Sequence, residues 1–376
     1  MAPTITHIST DTAVLDLPEP LALGDMVVTR REYGAVAIHL SNGIVGKAYC
    51  LTREAPMVDI INRMFAPRLL GSTVEDLPEM WQSLHRHTAI VGRVGLVRRA
   101  LGLVDIALWD AASQCDGAPL GVFLDKQFPG VVPQRLPSSP SIHQHALLVA
   151  AYPTKTRTAR SVANEVIAHS QDGWRLFKVS RSPNHKLMAE LLNILRHELP
   201  AGCEVVVDVG FGWRDAPEGI SELQQWGDAP VAWVEDPLLP EDVDGIAAIR
   251  RETGRAIGVG DEVTDPNLFK RLVDAEALDV IRLDVVALGG ITPSLDLLSF
   301  AAKNQLPVSA HIYPEVTAHL GIGVETFPRY AGPYDPAPSF ILGGPTFDRG
   351  IPTPPTTPGL GFNLDPRVFT LGKDTT

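Results

Sequence analysis

Cysteine is scarce in this chain. Three residues, Cys50, Cys115 and Cys203, stand at wide spacings among 376. Their odd number, with no metal-type pair and no disulfide framework, reads as a reduced, cytoplasmic protein. Positive charge is also in short supply, with 32 Lys and Arg against 44 Asp and Glu and a formal charge of −12. That balance builds no basic stripe of the kind that duplex nucleic acid or an anionic membrane face requires, so neither is expected as a partner. No apolar run reaches the roughly 18 residues of a spanning helix. The N-terminus, MAPTITHISTDTAVLDLP, lacks a basic segment followed by an apolar core, so no secretory signal is expected. A Gly-rich phosphate fingerprint is missing as well: the pair Gly289-Gly290 in ALGGIT comes late and does not read GxGxxG, which counts against an open dinucleotide-binding sheet.

What the chain does contain is a long, ordinary core. Hydrophobic residues make up 45% and charged residues 20%. At roughly 150 residues per domain the length suits two to three domains, or one barrel with an appendage. The first hundred residues change character repeatedly. Apolar stretches flank the turn Ser41-Asn42-Gly43, which predicts a β-hairpin. Helical patterning follows over 57–69, 77–85 and 94–115, the last with apolar residues at three- and four-residue steps until Gly117-Ala118-Pro119. This is an α+β lobe. From His145 to Glu325 short apolar runs alternate with amphipathic stretches, and successive runs start one βα unit apart. Seven runs are countable, with an eighth near Val324. The pattern predicts an α/β fold, a TIM-type (β/α) barrel of a modified seven- or eight-unit form over 131–331. The α+β lobe then occupies 1–130, and the Gly/Pro-rich C-terminal segment 332–376 is expected to pack back on it.

In a parallel barrel the chemistry sits at the C-terminal ends of the strands. Three consecutive runs end there in acids: VVVDVG places Asp208, VAWVED places Glu235, and IGVGDE places Asp261 and Glu262. Asp208, Glu235 and Asp261 recur at steps of 27 and 26 residues, one βα repeat each. Singly, each acid is an ordinary helix cap or turn residue. Together on neighbouring strands they need a cation, and hard oxygen donors suit Mg²⁺. The next two runs end in Asp284 and His311. A carboxylate on one imidazole nitrogen raises the basicity of the other, as a general base near neutral pH requires.

The order and spacing of DIALWDAASQCDGAPL, WRLFKVS, VVVDVGFGW, VEDP, VGDE, LDVVALGGIT and VSAH resemble the enolase superfamily, and within it the mandelate racemase-like subgroup. The resemblance runs along nearly the whole chain. It implies a capping domain closing over the barrel and one Mg²⁺ held by Asp208, Glu235 and Asp261. It implies abstraction of the proton α to a substrate carboxylate, with the metal stabilising the resulting enediolate. Asp284 and His311 match the subgroup's Asp-His dyad, Glu325 an acid that approaches the substrate carboxylate, and Lys178 the first lysine of a Lys-x-Lys element. Relatives are commonly dimers or octamers, so a homo-oligomer is expected.

Two positions depart from the pattern. Ser180 stands where racemases carry the second lysine, which serves as the base on the opposite face, and Arg181 follows it. Gly210 stands where many relatives have Asn. A single base and a metal suffice for dehydration, so the expected activity is a lyase: an acid-sugar dehydratase making a 2-keto-3-deoxy acid, with His311, Asp284 and Lys178 as catalytic residues. The alternatives are an epimerase, racemase or lactone cycloisomerase, and a barrel retained only as a scaffold. Substrate contacts are expected from Glu325, Ser180 and Arg53, with the capping loops 17–31 and 49–53 setting specificity. Arg30 and Arg31, and Tyr313 and Glu315 beyond the seventh run, are further candidates. The negative charge thus excludes polyanions but not a small carboxylate bridged by a metal.

Overall fold

A computed structural model describes residues 2–23, 26–132, 141–151, 157–327 and 339–371. It opens with an antiparallel sheet in which β1 (Ile5–Leu23), β2 (Met26–Leu40) and β3 (Val45–Leu51) pair in chain order. The expected turn joins β2 to β3, with Gly43 at a φ of 87° that glycine adopts without strain. Strand β1 is not announced by the sequence. It pairs with β2 alone, and as an edge strand it carries Thr6, Thr10, Asp11 and Thr12 where a buried strand would alternate cleanly.

Residues 57–69 form a helical stretch interrupted by a wider turn: α1 (Met57–Ile60), a π-turn over Ile61–Phe65, and α2 (Ala66–Leu69) with Pro67 in its first turn. Then come α3 (Leu77–Thr88), α4 (Leu96–Asp116) and α5 (Leu120–Gln127). Gly117 ends α4 in the left-handed conformation, as glycine past a helix C-terminus commonly does. α5, which the sequence pattern left unassigned, starts directly after Pro119. α4 is apolar nearly all round because it is buried between β3 and the barrel. Gly46 of β3 approaches its Ala107 carbonyl so closely that a Cβ would stand 2.1 Å away.

The barrel strands are β4 (Leu147–Ala151), β5 (Leu176–Ser180), β6 (Glu204–Asp208), β7 (Val231–Glu235), β8 (Ile257–Val259), β9 (Val280–Leu283), β10 (Val308–Ala310) and β11 (Glu325–Thr326). They pair in parallel in chain order, and β11 returns to β4. The Ala310 amide donates to the Gly323 carbonyl at 2.7 Å, which joins the two ends of the sheet. Helices α6 (Ala159–Gln171), α7 (His185–Glu198), α8 (Ala216–Gln225), α9 (Val243–Thr253), α10 (Pro266–Asp274) and α11 (Ile291–Lys303) separate the strands in turn. Between β10 and β11 stand only the single turn α12 (Pro314–Thr317) and a 3-10 turn over Ala318–Leu320. Leu147, Leu176, Val206, Trp233 and Val280 fill the barrel interior below the strand ends. An eight-stranded parallel barrel with a separate N-terminal α+β layer is thus the fold the periodicity predicts.

Parts of the expected tail, residues 332–338 and 372–376, lie outside the described residues. The remainder forms two small pairs, β12 (Ile341–Gly343) with β15 (Phe362–Leu364) and β13 (Thr346–Asp348) with β14 (Ile351–Thr353). Phe340 packs edge-on against Tyr33 at 4.9 Å and Tyr49 at 5.4 Å, so the tail contacts the N-terminal sheet. Among the described residues no helix is long and apolar enough to cross a membrane.

Candidate active site

Adjacent registers carry the acids to one place. Ser180 pairs with Asp208 across β5 and β6, and Asp208 with Glu235 across β6 and β7. Asp261 follows β8 after a turn that only glycine permits. Gly260 has φ of 145°, and a Cβ there would stand 2.0 Å from the Arg282 carbonyl. The Asp236 carboxylate accepts the amides of Gly260 at 3.0 Å and Asp261 at 3.3 Å, fixing that turn from behind. Ligand oxygens of Asp208, Glu235 and Asp261 lie within 4.8 Å of one another. Phe211, Asp236, Glu262, Ile312 and Tyr313, all at strand ends, have positive φ, and backbone strain of this kind concentrates at functional sites.

Two buried cations divide these carboxylates between them. The Lys178 ammonium stands 2.5 Å from Glu235 Oε1, 3.2 Å from Asp208 and Glu325, and 3.5 Å from Asp261 Oδ2. Arg282 takes the opposite oxygens, with Nε 2.9 Å from Glu235 Oε2 and 3.4 Å from Asp261 Oδ1, and also pairs with Glu325. Burial alone would lower the Lys178 pKa, but Asp208, Glu235, Glu325 and Asp261 raise it well above the lysine range. Burial pushes Glu235 up to about 8 in spite of Arg282 and Lys178. Against its own burial, Asp261 is held well below the carboxylate range by His311, Lys178 and Arg282.

His311 follows β10 and faces the same cluster. Its Nδ1 lies 2.7 Å from Asp261 Oδ2 and 3.9 Å from Glu325. Burial would lower its pKa, and the Asp261 contact with the Glu325 charge raises it to about 9. Asp284 and His311, expected as a hydrogen-bonded dyad, share a cluster with Glu262 whose ligand atoms lie within 4.8 Å. Neither ring nitrogen is hydrogen-bonded there. The Asp284 Oδ1 is taken by the amides of Val286 at 3.0 Å and Ala287 at 2.9 Å, and its Oδ2 faces Arg99 at 3.9 Å. Asp261 therefore draws the imidazole more strongly than Asp284 does.

A cavity of about 800 Å³ opens over the cluster, lined by Ser180, Asp208, Gly210, Asp261, Glu262 and His311 from the barrel and by Arg53 and Arg99 from the N-terminal layer. Both arginines pair with Glu262 at its mouth. Arg53 and Arg99 hold the Glu262 carboxyl down at about 2, against the effect of burial. Arg181 also lines the cavity, with its guanidinium tied to buried Glu222. Glu325 lies beneath the cavity on Lys178 and Arg282 rather than in its lining. Tyr313 and Glu315 also stand back from it: the Tyr49 hydroxyl donates to Glu315 at 2.7 Å and the Leu51 amide to the Tyr313 hydroxyl at 3.1 Å, tying β3 to the barrel. Arg30 pairs with Glu54 on the surface, and the side chains of residues 18–26 lie outside the described residues. A second cavity, about 720 Å³ between α3, α10 and α11, is reached by none of the strand-end acids.

Arg282 and Arg99 carry no role in the sequence pattern, and Glu262 enters it only as a neighbour of Asp261. The signal for Arg282 is a charged residue within the otherwise apolar run VIRL, which in a barrel points to the interior polar layer. Arg99 shows no comparable mark, because Arg98-Arg99 resembles a solvated step of a helix.

Two family models match the chain: an enolase C-terminal domain-like model over residues 161–368 and a mandelate racemase/muconate lactonizing enzyme N-terminal domain model over 6–124. The chain is 27% identical over 288 residues to 3,6-anhydro-α-L-galactonate cycloisomerase of Streptomyces coelicolor, covering 76% of this chain and 75% of that one. It is also 27% identical over 261 residues to L-talarate/galactarate dehydratase of Salmonella typhimurium, covering 68% of this chain and 61% of that one. The crystal structure of an L-talarate dehydratase from a Polaromonas species, complexed with Mg and L-glucarate, superposes with a TM-score of 0.83 at 22% identity, covering 99% and 98% of the two chains. With both family models matched in order along one barrel and its N-terminal layer, the chain belongs to the mandelate racemase-like enzymes of the enolase superfamily.

Proposed function

We propose that this protein is an acid-sugar dehydratase that removes the proton α to a carboxylate and expels a β-hydroxyl, making a 2-keto-3-deoxy acid. Asp208, Glu235 and Asp261 are the residues that would hold Mg²⁺. They fit it on two counts: every donor is a hard oxygen, and the Lys178 ammonium already stands among those oxygens as a stand-in cation. The L-talarate dehydratase complexed with Mg and the magnesium-bound racemase from Streptomyces coelicolor, both of this fold, support the same assignment. When bound, the metal supplies positive charge that offsets the charge developing on the substrate carboxylate.

The observation that carries the reading is that, among the described residues, His311 is the one imidazole lining the cavity and no lysine lines it. Ser180 replaces the second lysine, Arg181 is paired with Glu222, and the Lys178 ammonium is engaged by Glu235, Asp208, Glu325 and Asp261. His311 takes the α-proton, the electron pair left on Cα forms the C=C bond as the β-hydroxyl departs, and the imidazolium returns its proton to that oxygen as water. The enol then becomes the 2-keto acid. Asp284 supports the imidazole through the shared cluster, Lys178 and Glu325 fix the floor beneath the substrate carboxylate, and Ser180 and Arg53 contact its hydroxyls. Residues 1–130 with 332–376 act as the capping domain over the barrel at 131–331. The test is incubation of an acid-sugar library with Mg²⁺ and semicarbazide detection. A 2-keto product from at least one acid is expected, and none from any would overturn the proposal.

A second reading has its own support in the similarity to a cycloisomerase. It shares the α-proton step and differs in the leaving group, a ring oxygen that stays in the molecule. Product mass separates the two: dehydration loses one water and cycloisomerisation loses nothing.

A further inference from the structure

Arg282 is buried without trace of solvent contact inside the barrel, directly beneath the proposed metal ligands. A guanidinium at such a depth is costly unless every donor is used and its charge is matched. Its Nε makes no aligned hydrogen bond and is matched by charge alone, 2.9 Å from Glu235 Oε2 and 3.4 Å from Asp261 Oδ1, while one terminal nitrogen pairs with Glu325. The other donates to Ser309 Oγ at 2.7 Å and to the Ala310 carbonyl at 2.8 Å. Lys178 faces the opposite oxygens of Glu235 and Asp261.

We infer that Arg282 is a built-in cation of the metal centre: it occupies the rear oxygens of Glu235 and Asp261 and sets the centre's charge for a divalent ion. The inference rests on the metal assignment proposed above. With Glu235 ionised and His311 neutral, the forms that metal ligation and proton abstraction require, Asp208, Glu235, Asp261 and Glu325 carry four negative charges, and Lys178 and Arg282 carry two positive ones. Two negative charges remain, which one divalent ion neutralises. Asp236 stands outside the count because its carboxylate faces backbone amides. Without Arg282 three negative charges would remain, a balance suited to a trivalent ion. Arg282 is a positioning residue in this account, acting on the substrate only through the carboxylates.

The experiment compares Mn²⁺ binding, by electron paramagnetic resonance, with Tb³⁺ binding, by luminescence sensitised through Trp233, whose indole nitrogen donates to Glu235 at 3.1 Å. At an effective dielectric of about 20, one unit charge a few ångströms away alters affinity by about tenfold or more. Arg282→Gln is therefore expected to raise the ratio of Tb³⁺ to Mn²⁺ affinity by at least about tenfold. Arg282→Lys, which keeps the charge, and the double variant Arg282→Gln/Glu325→Gln, which restores the balance, should both keep the wild-type ratio. If the single Gln variant does not fold, the Lys and double variants carry the test, and a shifted ratio in either overturns the proposal. An unchanged ratio in Arg282→Gln also overturns it. Wild-type protein that binds neither ion would instead refute the metal assignment itself.

Discussion

Arg181 occupies the stretch where a second base would stand in a racemase, and its geometry makes it a structural prop. Its guanidinium meets Glu222 through Nε at 3.0 Å and 2.9 Å and through a terminal nitrogen at 2.6 Å. Trp213 Nε1 donates to the same carboxylate at 2.8 Å, and the Arg181 and Glu222 side chains are 6% and 1% exposed. Glu222→Ala leaves a buried guanidinium unpaired, at a cost of about 3–5 kcal/mol. It also strands a buried indole donor, which adds roughly 1 kcal/mol or more before any relaxation. The expected loss is about 4 kcal/mol in urea unfolding. Replacing both partners, Arg181→Met with Glu222→Met, should recover most of it, because neither charge is then left alone. A loss below about 1 kcal/mol for Glu222→Ala would refute the reasoning, as would an Arg181→Met variant with intact stability and a strongly raised KM.

Two further outcomes follow from buried groups elsewhere. His319 accepts from the Gly121 amide at 3.3 Å through Nδ1, and its Nε2 lies 3.1 Å from the Leu360 carbonyl. Burial lowers its pKa to about 4 in spite of that carbonyl. The unfolded chain, with an ordinary histidine near 6.5, binds the extra proton first, so its contribution of about 3 kcal/mol is present above pH 6.5 and is lost as the pH falls to 4. Urea midpoints measured across that range should fall, and His319→Gln should flatten the slope. Gly260→Ala forces a methyl group against the Arg282 carbonyl and displaces Asp261. The variant is expected to lose Mn²⁺ binding at least about tenfold, read by calorimetry, and wild-type affinity would show that the turn tolerates a side chain.

Much of this arrangement was legible in the residues because a barrel repeats. The βα spacing set Asp208, Glu235 and Asp261 at one level of successive strands, and those three acids do converge. What the sequence could not convey is which oxygen faces which cation. The expected pairing of His311 with Asp284 assumed that neighbouring strand ends make the strongest contact. In the folded chain Asp284 gives its oxygens to its own following amides and to Arg99, while Asp261, ringed by cations, takes the imidazole. Arg99 and Arg53 reach the site from the N-terminal layer, a juxtaposition that no local pattern encodes. The edge strand β1 escaped notice for a related reason: with one neighbour and one wet side, its residues need not alternate.

The central claim is that one imidazole, His311, performs the proton chemistry above a carboxylate-held metal. The most direct measurement follows turnover of an accepted sugar acid in D₂O by the wild type and by His311→Asn, with Mn²⁺ affinity measured on both. The account predicts that the variant binds Mn²⁺ within about threefold of the wild type yet neither exchanges the Cα proton nor forms the 2-keto acid. Retained exchange or product in His311→Asn would contradict it.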